Sequence, residues 1–336
     1  MFLLKVISFI MIILLSGGCT KTDVNTLIKK NYYGDIKHLD RYSRVVQGED
    51  FDTLSIQTKS SYFGVGLTLI RYKKAFFILD IAKNSPSQKV GLKPADQILK
   101  IDNKDISKYD IKQIYKYINT KDKIKLTIKR EKRIFDIFLH KQIIKKTNLS
   151  IKKINTNTLY IKINSFSKDL AQQIKNIILK NHCKNIIFDL RDNRGGIFEE
   201  SIKLSDMFYD KGVIVIQKSK DSEKKYFFHK ETVFKDKNLV ILVDNYTASA
   251  SEIFAGTLQK HKRAILIGEK TFGKATIQKL YYLEDKKLLK LTVAHYFLPS
   301  YKNIEKTGLT PDVKIRKKYI KNLNYLIKKA KKYLNN

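Results

Sequence analysis

Two short stretches, "IIF" at 186–188 and "LVILV" at 239–243, run apolar without a polar residue between. A strand with one face in water alternates apolar and polar side chains. An unbroken run must be covered on both faces, which is the situation of strands in an α/β layer. The segments around them agree. "SKDLAQQIKNIILKN" carries Leu170, Ile174, Ile177 and Ile178 at helical spacing, and "SEIFAGTLQKH" reads as a helix between "LVILVD" and the next strand, "RAILIG". From about residue 149 the chain therefore reads as strands alternating with helices.

The preceding part has another texture. Residues 61–143 hold short alternating strands such as "FGVGLTLI", "QILKIDN" and "KIKLTIKR", with a single helix-like stretch, "DIKQIYKYI". This pattern predicts a small β-rich domain with one helix. The expected organisation is a segment 1–18 that is removed, a helical lead-in over 19–60, the β-rich domain over 61–143, an α/β domain over 144–316 and a basic amphipathic helix over 317–336. In that last helix Tyr319, Ile320, Leu323, Leu326, Ile327, Ala330 and Leu334 share one face, and packing on the domain is favoured over lying on a membrane.

The first residues, "MFLLKVISFIMIILLSGGCTK", place one Lys, an apolar run from Val6 to Leu15 and small residues before Cys19. The run is too short to span a bilayer comfortably and suits an export signal. Its "LSGGC" ending resembles a bacterial lipoprotein signal, which implies lipid on Cys19, membrane anchoring and an exported, cell-envelope location. Cys183 would then be the only Cys left, so no disulfide within the chain is expected. The six His residues show no metal-ligand spacing, and neither metal nor cofactor is expected. A formal charge of +35 raises nucleic acid as a partner. The Lys residues are spread through the chain among acids and no recognition motif accompanies them, so nucleic acid is not the expected partner.

Three stretches carry chemistry. In "LVDNYTASASEIFAG" a buried strand ends and a helix begins near Ser249, so a hydroxyl sits where the helix dipole favours negative charge. A plain N-cap, completed by Glu252 at capping-box spacing, is the structural alternative. In "GEKTFGKATIQ" small and apolar neighbours flank Lys274, and desolvation lowers a Lys pKa until the amine can act as a base. Gln278 follows four residues on. In "DLRDNRGG" a strand runs into paired glycines whose N–H groups can turn toward a carbonyl.

These blocks, in this order, resemble the carboxy-terminal processing proteases, the tail-specific family of serine peptidases with a Ser–Lys dyad. "LDRYSRVV", "FGVGL", "SPSQKVGLKPADQILKIDNKDI" and "YFLPSYKNIEKTGLTPDV" extend the resemblance from about residue 39 to 313. It implies Ser249 as nucleophile, with Ser251 as the competitor, Lys274 as base and Gln278 as its orienting group. It also implies an oxyanion hole from the N–H groups of Ala250 and of Gly195 rather than Gly196. The fold implied is a crotonase-like α/β protease core with an inserted PDZ domain. The backbone of Phe63, Gly64, Val65, Gly66 and Leu67 would hold a substrate's terminal carboxylate. Partners would be proteins or peptides with free C-terminal tails, and a homodimer is an open possibility for assembly. The other class of function is a PDZ-containing lipoprotein scaffold without catalysis. Ala95 replaces the customary Gly of the PDZ turn and predicts strain if φ is positive there. Arg194 stands where a smaller residue is commoner, and Thr247 where Ser is usual.

Overall fold

A computed structural model describes residues 24–32, 39–47, 61–73, 75–145, 148–230, 233–283 and 287–334. The export segment 1–18 and Cys19 lie outside the described residues, as does part of the lead-in.

The unbroken apolar runs form the middle of a six-stranded sheet. Its order is Leu149–Asn155, Thr158–Ile163, Asn185–Asp189, Asn238–Val243, Ile265–Gly268 and Val313–Lys314. The first strand is antiparallel to its neighbour and the rest are parallel. Both faces are covered. Ile186, Phe188, Ile241 and Val243 pack with the helices Leu170–Asn181, Phe198–Asp206 and Ala250–Lys260. The alternate residues Ile187, Val240 and Leu242 pack with Leu326, Ile327, Ala330 and Leu334. The helix Leu323–Lys331 thus closes the second face, and its apolar side faces protein. Each fully buried Ile, Leu or Phe contributes about 1.5–3 kcal/mol, so the two-sided burial is the main stabilising term.

A buried ion cluster fastens the C-terminal segment to this sheet. Asp189 is wholly buried at its strand end and accepts from Tyr160 Oη at 2.6 Å, Arg191 Nε at 2.9 Å and Arg191 Nη2 at 2.5 Å. Arg191 also donates to the carbonyl of Ile320. Although burial opposes it, the Arg191 and Lys162 charges and these hydrogen bonds hold the Asp189 carboxyl below its usual range.

A second sheet joins Arg44–Val46, Lys287–Phe297, Val213–Ser219 and Glu223–Phe227, with Thr276–Leu283 paired to Lys287–Phe297. The β-rich region has the strand order Leu67–Tyr72, Ala75–Ile81, Gln97–Ile101, Lys123–Arg130 and Arg133–His140, around a core that includes Phe76, Ile98, Ile114 and Leu126. Two tether strands, Ser61–Gly64 and Gln142–Lys145, pair antiparallel, so the chain enters and leaves this region side by side. Ala95 has φ 71°, so its side chain is held in the left-handed region that the turn demands. No helix among the described residues is long and apolar enough to cross a membrane.

Candidate active site

Ser249 sits between the strand Asn238–Val243 and the helix Ala250–Lys260, half-buried, with φ 58° and ψ −122°. A non-glycine residue held there costs about 1–3 kcal/mol and persists only where its surroundings over-determine it. They do so here. Ala248 N–H donates to the Asn193 carbonyl at 3.0 Å, and Ser249 N–H to Glu252 Oε2 at 3.0 Å. Glu252 and Ile253 N–H both donate to the Ser249 carbonyl, at 2.7 and 3.0 Å. Gly195 packs against this turn at φ 96°. A Cβ there would lie 2.9 Å from Ser249 Cβ and 2.7 Å from the Ala248 carbonyl oxygen, so only glycine fits.

Ala250 N–H, at the first helical position, has no hydrogen-bond partner among the described residues, and neither has Gly196 N–H. Gly195 N–H differs from the sequence expectation. It donates to Asn193 Oδ1 at 2.9 Å, an Asx turn that occupies the amide assigned to the oxyanion. The unpaired amide of the glycine pair is that of Gly196. Ser251, the competing hydroxyl, is fully buried and donates to the Asn193 carbonyl at 3.2 Å.

Lys274 approaches from the second sheet. Its Nζ donates to Gln278 Oε1 at 2.7 Å, while Gln278 Nε2 donates to the Tyr42 carbonyl at 2.7 Å. That second bond fixes which end of the amide faces the amine. Four residues of regular strand span about 13 Å, too far for such a contact. It forms because Lys274 lies in the loop before the strand and a bulge between Ile277 and Gln278 re-aims the glutamine. The Lys274 Nζ also lies 5.2 Å from the centroid of the Tyr42 ring. Burial, helped by the like charge of Lys290, pushes the Lys274 amine down to about 8, against the pull of Glu305, Asp40 and Glu252. Among the described residues no hydrogen bond joins the Ser249 hydroxyl to this amine; the amine rests on Gln278.

The two halves of the site are joined through the main chain. Glu252 is fully buried and accepts from Ser249 N–H, from Gly273 N–H at 2.8 Å, from Lys274 N–H at 2.9 Å and from Thr271 Oγ1 at 2.5 Å. Burial raises its carboxyl above the ordinary carboxylate range, with the four hydrogen bonds pulling the other way. Tyr296 Oη bridges the same two segments, reaching the Lys274 carbonyl at 2.8 Å and the Ser249 carbonyl at 3.3 Å.

In the β-rich region the five residues named for carboxylate capture divide. Phe63 and Gly64 belong to the tether ladder, opposite Ile143 and Gln142, and Leu67 begins the next strand. Between them the carbonyls are engaged. Val65 O accepts from Ser87 N–H at 3.1 Å and Ser87 Oγ at 2.7 Å, and Gly66 O from Ala82 N–H at 2.9 Å. Val65 and Gly66 are buried residues, and their N–H groups have no partner among the described residues. No group of three His, Cys, Asp or Glu side chains among the described residues is placed to hold a metal.

Residues 157–315 match peptidase family S41, and residues 77–130 match the PDZ domain. A CtpA-like serine protease of Staphylococcus haemolyticus is 32% identical over 291 residues, 84% of this chain and 58% of the relative. Residues 157–315 are thus a peptidase family S41 region. A CtpA-like serine protease of Staphylococcus aureus (strain COL) is 31% identical over 325 residues, 94% of this chain and 65% of the relative. The chain spans less than two thirds of the length of these relatives. Its fold is similar to that of the photosystem II D1 C-terminal processing protease, with a TM-score of 0.53, 23% identity and coverage of 88% and 83% of the two chains. An S41 protease from Bacteroides fragilis gives a TM-score of 0.59 at 15% identity, with 93% and 94% covered.

Sequence reading missed several parts of this S41 site. Glu252 was legible only as a helix cap, although its spacing from Ser249 was plain. Asn193, Tyr42 and Tyr296 carry no local signal for the contacts they make, since each reaches a partner from a different element.

Proposed function

We propose that the chain is a serine endopeptidase that cleaves exported proteins after recognising their C-terminal tails through the PDZ domain. The observation that carries this reading is a half-buried amine with a pKa of about 8, oriented by Gln278 and tied through Glu252 to the strained turn that presents Ser249. In the neutral amine one N–H is held by Gln278, which leaves the lone pair for the Ser249 proton. The Ser249 oxygen attacks the scissile carbonyl, and the N–H groups of Ala250 and Gly196 hold the developing oxyanion. Collapse expels the amine product, which takes the proton from Lys274, and leaves an acyl-enzyme. Water, deprotonated by the same lysine, attacks the acyl carbonyl; the Ser249 oxygen leaves, takes that proton back from Lys274, and the acid product is released. Contact between Ser249 and Lys274 side chains would complete on substrate binding, since among the described residues the resting amine donates to Gln278 and not to Ser249.

The unpaired amides of Val65 and Gly66 are the groups that would take the tail's carboxylate. The covered parallel sheet supports a crotonase-like core. Amidating the C-terminus of an unfolded protein substrate is expected to lower kcat/KM about tenfold or more, through loss of charge-assisted hydrogen bonds. Equal cleavage of the free and amidated forms would remove tail recognition from the proposal.

We also propose that Cys19 carries lipid and anchors the exported protein to a bacterial membrane. Cells fed an alkyne-bearing fatty acid should label the wild type and not Cys19→Ser. Equal labelling of both, or labelling of neither, would sink the anchor.

A further inference from the structure

The strand Leu67–Tyr72 is an edge strand, bonded on one side to Ala75–Ile81. Its other side is turned to the helix Ile111–Thr120, and there Leu69 N–H donates to Tyr115 Oη at 2.7 Å. A peptide added antiparallel along this edge pairs with every second strand residue, so the outward N–H of Leu69 is a donor such a peptide must use. In the two residues before Leu67 the amides of Val65 and Gly66, proposed above to take the carboxylate, have no partner among the described residues, and Gly66 is at φ 82°. The groove thus keeps its anion end free and has its next outward donor already satisfied by a side chain of its own helix. Leu69 itself is only 4% exposed, so without Tyr115 this N–H would be a buried, unsatisfied donor in the empty groove.

We propose that Tyr115 is a specificity-determining placeholder of the PDZ groove: its hydroxyl occupies the position of a main-chain carbonyl of the bound tail, and a tail binds by displacing it. This rests on the tail-recognition reading above. The exchange replaces one hydrogen bond by another, so strand pairing at Leu69 adds little net affinity. Tails are then selected by their carboxylate and by side chains that fit beside the apolar cluster to which Val65, Leu69 and Ile118 belong.

The test uses the full chain carrying Ser249→Ala, so that the probe survives, with and without Tyr115→Phe. The probe is a ten-residue peptide ending in Val with a free carboxylate, together with its amidated twin. Phe keeps the ring and removes the hydroxyl. The expected result is about fivefold tighter binding of the free-carboxylate peptide by the Phe variant, since its donor at Leu69 is unsatisfied until a tail arrives. Hydrogen exchange supplies a second reading: the Leu69 amide should lose protection in the peptide-free Phe variant and regain it with peptide bound. Unchanged or weaker binding by Tyr115→Phe, with both proteins still preferring the free carboxylate, overturns the placeholder and leaves tail recognition standing. If neither protein distinguishes the free peptide from the amidated one, tail recognition itself fails and the placeholder with it.

Discussion

Lys274→Arg is expected to lower kcat/KM about 10²–10⁴-fold, the range a positioned general base supplies. A guanidinium stays protonated across the accessible pH range and cannot accept the Ser249 proton. The pH profile makes the prediction specific. Burial and the neighbouring Lys290 set the Lys274 amine at about 8, so the active, neutral form is the minor one at pH 7 and the major one at pH 9. Wild-type activity should therefore climb about tenfold per pH unit below this value and level off above it. The residual activity of the Arg variant should lack that limb. Ser249→Ala should fall at least as far, and the double variant little further, as expected of two groups that act as one unit in the proposed dyad. Retention of the same acidic limb by Lys274→Arg would remove this lysine from the role of base.

Glu252→Gln should carry the second large effect. The carboxylate accepts two hydrogen bonds at each oxygen, Thr271 Oγ1 and Gly273 N–H at Oε1, and Ser249 and Lys274 N–H at Oε2. An amide turns an NH₂ group toward one of these donor pairs, so two hydrogen bonds to a buried charge are lost, at about 1.5–3 kcal/mol each. Stability measured by denaturant should fall by about 3 kcal/mol or more. Glu252 is a positioning residue, so the kinetic signature should lie in kcat, with KM little changed and the acidic limb displaced as the Lys274 loop relaxes. Assays well below the unfolding midpoint separate this from loss of folded protein. A variant that unfolds early yet keeps wild-type kcat and pH profile would show that Glu252 only holds the fold.

The departures from the sequence reading have a common origin. Ser249 and Lys274 were legible because each sits in a block of small residues beside an apolar strand, a pattern written in neighbouring positions. The choice between Gly195 and Gly196 as a free amide depends on the side chain of Asn193, whose Oδ1 accepts from Gly195 N–H. Nothing in the spacing of "DNRGG" decides which way that amide folds. Ala95 is the opposite case: its departure from glycine predicted strain, and the residue is found at φ 71°.

By itself the sequence determined the two-sided burial of the α/β sheet, the separate β-rich region and the order of the site blocks along the chain. These follow from hydrophobic period and turn chemistry, which act over a few residues and leave a repeating trace. Tertiary structure alone decided that Gln278 is fixed by a carbonyl 236 positions away, that Glu252 ties the serine turn to the lysine loop, and that Tyr115 Oη accepts from Leu69 N–H. Single hydrogen bonds between distant elements depend on distance and angle in the folded chain, and those have no period for a sequence to display.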